Sequence, residues 1–91
     1  MRKSRKKPSE ATTEEERVKK GNAADSVLSS PVFQEAFELL EDKYITSWIT
    51  SGIDERDKRE QNFLSLRALS DMRLELESMI NSGKLAAKNI Q

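Results

Sequence analysis

Cysteine and histidine are both absent from this 91-residue chain. Without them there is no disulfide framework, no Cys/His zinc site and no thiol nucleophile. A Ser-His-Asp triad is impossible within one chain. No run of about 18 apolar residues occurs, so no membrane-spanning segment is expected. The first residues are basic, but no apolar stretch follows them, so they do not read as a secretory signal. The three glycines form neither G-x-x-x-x-G-K-[ST] nor G-x-G-x-x-G. The side chains best suited to proton transfer near neutral pH are missing. The expectation is a non-enzyme without a metal or cofactor.

What is present is charge, and it is unevenly placed. Sixteen basic and sixteen acidic side chains give a formal net charge of zero. Residues 1–20 hold eight basic and four acidic side chains, a net +4, whereas residues 21–91 hold eight basic and twelve acidic ones, a net −4. The first 21 residues have Val18 as their one larger aliphatic side chain and no aromatic, too little apolar surface to offset the entropy of ordering. Residues 1–21 are therefore read as a disordered basic arm, with Gly21-Asn22 as a break. Thr12 or Thr13 is placed to cap a short helix in this arm, marginal on its own. Arg2, Lys3, Arg5, Lys6 and Lys7 are the candidate contacts to nucleic-acid or other anionic phosphates. No aromatic is interleaved among them, so any binding is expected to ignore base sequence and to weaken with salt. The competing reading is a solubilising tail, or one that docks on the chain's own acidic body.

The body, residues 22–91, reads as an all-α fold built on an antiparallel helical hairpin. Ser30 suits a helix N-cap and Pro31 the first helical position. From there Phe33, Phe37, Leu40, Tyr44 and Trp48 recur at helical spacing, widened by Val32, Ala36, Leu39, Ile45 and Ile49. This predicts a helix over about 31–51, stopped by a left-handed Gly52. Asp54 is placed to cap a second helix over about 55–82. Its stripe runs through Phe63, Leu66, Leu69, Met72 or Arg73, Leu76, Met79 and Ile80, and Gly83 is its expected stop. A short connection makes the two helices neighbours that lie antiparallel. Residues 22–29 have the makings of a short third helix.

Only 35% of the chain is hydrophobic, so a body of this size is marginal as a monomer. Two helices cannot satisfy Leu64, Leu74, Ile45 and Ile49 on one shared stripe. Self-association or docking on a larger protein is expected; the alternative is a monomeric three-helix fold with residues 22–29 as a lid. Phe37, Tyr44, Trp48, Phe63, Leu66, Met72 and Leu76 are the candidate interface. For Trp48 and Tyr44 the favoured reading is intramolecular core against Phe63 and Leu66, with an interface anchor as the alternative. The acids Glu35, Glu38, Glu41 and Asp42 read as a solvated face rather than a metal or acid–base site. Asp54-Glu55-Arg56-Asp57 lacks the spaced ligands and terminal Glu of a calcium loop.

The order Leu28-Ser29-Ser30-Pro31-Val32-Phe33-Gln34-Glu35-Ala36-Phe37, then Tyr44-Ile45, Trp48, Asp54, Arg59-Glu60, Leu69, Leu76 and Gly83-Lys84, resembles small helical proteins encoded near the head and DNA-packaging genes of tailed bacteriophages. The resemblance covers about residues 22–85. It implies a viral source, a virion-assembly or packaging role, and a place in the host cytoplasm or the virion; it transfers no catalytic residue. The expected partners are a second copy or a larger phage or host protein, with non-specific nucleic acid through the arm and no membrane. Two other readings stand beside it. One is a small DNA-binding regulator, which would use Arg56, Lys58, Arg59, Arg67 and Arg73 against an acidic body. The other is a host-directed inhibitor.

Overall fold

A computed structural model of the chain describes residues 13–90, and the cations Arg2, Lys3, Arg5, Lys6 and Lys7 lie outside the described residues. The fold is all-helical: α1 spans Glu14–Ser29, α2 spans Pro31–Ile49 and α3 spans Arg56–Ile90. No helix among these residues is long and apolar enough to cross a membrane.

Helix α1 begins inside the segment that composition assigns to the arm. Thr13 and Glu16 form a reciprocal capping box: the Glu16 amide donates to Thr13 Oγ1 at 3.0 Å, and the Thr13 amide donates to Glu16 Oε1 at 2.9 Å. Glu14, Glu15 and Glu16 fill the first turn, where carboxylates oppose the positive end of the helix dipole. Residues 14–21 are thus helical rather than disordered. Gly21 does not break the chain; it is a buried interior residue of α1.

Ser30 ends one helix and starts the next. Its amide donates to Val27 O at 3.1 Å, and its Oγ accepts from the Phe33 amide at 3.3 Å. Pro31 occupies the first turn of α2, where its missing N–H costs nothing, and its ring holds Ser30 in an extended conformation. Gln34 Nε2 ties the corner by donating to Leu28 O at 2.9 Å.

The other end of α2 is closed by hydroxyls, not by glycine. Thr50 Oγ1 donates to Thr46 O at 2.8 Å, and Ser51 Oγ donates to Ser47 O at 2.7 Å. The Ser51 bond occupies the Ser47 carbonyl, which the helix end leaves open, and the Thr50 hydroxyl adds to the Thr46 carbonyl that already accepts the Thr50 amide at 3.0 Å. Gly52 has no left-handed φ, and the helix ends at Ile49 rather than 51. Asp54 does not cap α3. The carbonyl of Glu55 accepts from the Arg59 amide at 3.1 Å, which makes Glu55 the residue before the first turn. The Glu55 carboxylate reaches back to the Gly52 amide at 2.7 Å, and the Arg59 guanidinium donates to the carbonyls of Gly52 and Ile53.

Helix α3 runs on through Gly83, the position expected to stop it, to Ile90. Its 35 residues make it about 52 Å long. It is the spine of the fold, and α1 packs on it more extensively than α2 does. On the α2 side, Asn62 Nδ2 donates to Ser47 Oγ at 2.9 Å, Trp48 meets Phe63 edge-on at 6.3 Å, and the Arg73 guanidinium lies 4.9 Å from the Phe37 ring centre. On the α1 side, Gly21 and Ala24 face the region of Gly83 and Ala86, all four buried. The absence of Cβ atoms at Gly21 and Gly83 lets the two backbones touch. Polar bonds flank the crossing: Arg17 Nε donates to Ser82 Oγ at 2.8 Å, and a second Arg17 nitrogen donates to Ser82 O at 3.1 Å. Near the helix ends Asn89 Nδ2 donates to Glu14 Oε2 at 3.0 Å.

Candidate interaction surface

The three helices enclose little. Ala24, Phe37 and Ala86 are the buried hydrophobic residues, and no large side chain among the described residues is fully buried. The aliphatic side chains left over are large and outward. Val32 and Leu39 lie seven residues apart on α2, so they share a face, and both are exposed. Ile49 and Ile53 are exposed where α2 gives way to the connection, Ile53 at 92%. Leu64, Leu74 and Leu85 are exposed along α3. Single exposed aliphatics are ordinary in globular proteins, but so many beside so small a core are not.

The interface residues expected from sequence divide into two groups. Phe37 is the most enclosed aromatic at 6% exposure, 6.1 Å from Phe33 and covered by Arg73. It belongs to the α2–α3 contact, not to an open surface. Its inward position follows from the stripe it anchors. Tyr44, Leu66 and Leu76 are half-buried in the same stripe. Trp48, Phe63 and Met72 remain exposed at 41–45%. Trp48 and Phe63 meet each other edge-on at 6.3 Å while both remain exposed.

Sequence reasoning placed too little weight on Val32, Leu39, Ile49, Ile53 and Leu64. The signal was present as apolar residues off the main stripes. It also missed the α1–α3 crossing, whose signal is the i, i+3 pairing of small residues, Gly21 with Ala24 and Gly83 with Ala86.

The acids of α2 stay outside any metal-binding group: no cluster of ligating side chains that could hold an ion occurs among the described residues. Glu38 and Glu41 instead line an open groove of about 330 Å³, together with Glu77 of α3. Leu28, Phe33 and Phe37 line its apolar part, and Arg73 stands beside them over the Phe37 ring. No ion pair engages Glu38, Glu41 or Glu77; the pair found among the described residues is Arg67 with Asp71 at 3.9 Å, both exposed. Exposed pairs of this kind are worth little.

No protein-family model matches the chain, and no curated protein and no solved structure matches it either.

Proposed function

We propose that the chain is a non-enzymatic interaction protein that works by helix-mediated association. In this reading α2 and α3 form an antiparallel hairpin, braced by α1, and present apolar faces to a second copy or to a larger protein. The observation that carries the reading is the imbalance just described: Val32, Leu39, Ile49, Ile53 and Leu64 are exposed while no large side chain among the described residues is fully buried. Burial is worth about 25 cal/mol per Å² of apolar surface, so covering such residues across an interface is the largest stabilisation still open to the chain. The hairpin reading is supported by the contacts of Ser47 with Asn62, Trp48 with Phe63 and Phe37 with Arg73. Earlier α2 positions meet later α3 positions.

The resemblance to phage head and packaging proteins supplies the setting we propose, virion assembly or DNA packaging. The basic residues preceding α1 would contact DNA or an acidic partner there. A sequence-reading DNA regulator is less favoured. Arg59 is committed to the carbonyls of Gly52 and Ile53. Arg59 is thereby drawn away from base edges, which a recognition helix would have to reach.

Absolute mass by light scattering after size exclusion tests the association. A defined oligomer that persists at high salt is expected, because apolar burial is not screened. A folded monomer at every concentration would count against self-association, leaving capture by a heterologous partner as the form of the proposal still standing. In that case the exposed faces should protect from labelling only when the partner is added.

A further inference from the structure

We infer that the groove between α2 and α3 is a docking site for a basic peptide, and that its occupant is the chain's own segment Arg2–Lys7, folded back in cis. The inference does not depend on self-association or on the phage setting.

Charge complementarity is the first argument. Glu38, Glu41 and Glu77 line the groove, and none is neutralised by an ion pair among the described residues. The single cation in the groove, Arg73, is turned onto the Phe37 ring. Residues 1–12 carry Arg2, Lys3, Arg5, Lys6 and Lys7 against Glu10 alone, a net +4, and residues 13–91 carry the compensating −4. Lys and Arg also have long apolar stems, which suit a groove floored by Leu28, Phe33 and Phe37.

Reach is the second argument. Thr13 caps the start of α1, and Leu28, fifteen residues on, lies at the groove, about 22 Å away along the helix axis. An extended chain covers about 3.3–3.6 Å per residue, so Lys7 stands at most about 21 Å from Thr13 and Arg2 at most about 39 Å. The basic cluster therefore spans the distance at which the groove lies. A tether this short holds the cations near the carboxylates at an effective concentration of about millimolar. Weak individual contacts then suffice for occupancy. Docked cations are also withheld from phosphates, so the groove would compete with any polyanion for the same side chains.

The chain has no cysteine, so S4C gives a unique attachment point for a nitroxide on the full-length protein. Backbone amide intensities are then read by NMR. The expected result is loss of at least half the intensity at Gln34, Glu38 and Glu77, with the amides near Asn62 unaffected. That loss should disappear at high salt, in the groove variant E38Q/E41Q/E77Q and in the arm variant R5Q/K6Q/K7Q, which leaves the described fold untouched. Mixing isotope-labelled, unspin-labelled protein with spin-labelled, unlabelled protein separates cis from trans. Broadening seen only in the mixture, broadening away from the groove, or broadening that survives both charge variants overturns the proposal.

Discussion

Gly21 and Gly83 meet backbone to backbone: a Cβ placed on Gly21 would stand 3.1 Å from the Cα of Gly83 and 2.9 Å from the carbonyl oxygen of Met79. A Cβ on Gly83 would stand 3.0 Å from the Arg17 carbonyl oxygen. Glycine ordinarily costs a helix interior about 1 kcal/mol relative to alanine. Here the cost is offset by closeness, because the opposing atoms are backbone and cannot rotate away. G83L should therefore destabilise the fold by about 1–3 kcal/mol, the usual range for overpacking. N22A, on the exposed face of the same α1, should instead stabilise by a few tenths, about the difference in helix propensity. Urea unfolding followed by circular dichroism distinguishes the two signs.

Arg17 belongs by composition to the basic arm but by contact to the fold. Its guanidinium gives two hydrogen bonds to Ser82. R17A should cost about 1–3 kcal/mol, since hydrogen bonds from a charged donor exceed the neutral average. S82A should cost less, because its carbonyl still accepts. The same contacts redraw the useful truncation. Removing residues 1–12 should lower the unfolding midpoint only slightly, by the weak stabilisation that docking of Arg2–Lys7 lends the folded state. Removing residues 1–20 takes the capping box, Arg17 and the first turns of α1, and should lower both helicity and midpoint. Equal stability of the two truncations would restore the boundary at 21 that composition implies.

What the sequence disclosed depends on which side chains carry the signal. The Ser30–Pro31 corner is written in local chemistry, an oxygen acceptor followed by a residue without an N–H, and it reads correctly without tertiary knowledge. The inward face of α2 is similarly plain, because Phe33, Phe37 and Tyr44 keep helical spacing. Helix α1 is legible only in pieces, its Thr13 cap and the helical segment 22–29, and not as one continuous packed helix. Its packing rests on the absence of side chains at Gly21 and Gly83, and apolar periodicity cannot register an absence. By sequence alone both glycines read as helix breaks, the common role when no neighbour is known. Gly52 is a related case: the Ser51 amide and hydroxyl already reach the carbonyls of Trp48 and Ser47, so no left-handed residue is needed.

Phe37 and Arg73 give a graded test of the α2–α3 contact. F37A empties the most enclosed aromatic site and should cost about 3–5 kcal/mol. R73A removes a cation from the ring face, and an exposed cation–π contact is worth about 0.5–1 kcal/mol. The double variant should show coupling: once the ring is gone, truncating Arg73 should cost nearly nothing. A thermodynamic cycle by chemical denaturation measures this directly. Additive losses would mean that Arg73 acts through something other than the ring.

Asn62 and Ser47 form the polar contact inside that interface. Asn62 is 8% exposed, and its Nδ2 donates to Ser47 Oγ. The pair is expected to behave asymmetrically. S47A leaves a buried amide donor without its acceptor, a loss of about 1–3 kcal/mol. Replacing both partners, as in S47A/N62L, removes the unmet donor along with the bond and should recover most of that loss. The recovery has a second consequence, because a buried polar pair fixes how two helices align and a leucine does not. The double variant should therefore keep its unfolding midpoint near that of the parent while its mass by light scattering becomes heterogeneous. A double variant as unstable as S47A alone would show that Asn62 contributes by packing rather than by its hydrogen bond. A stable double variant with an unchanged single mass would show that other contacts set the alignment of α2 on α3.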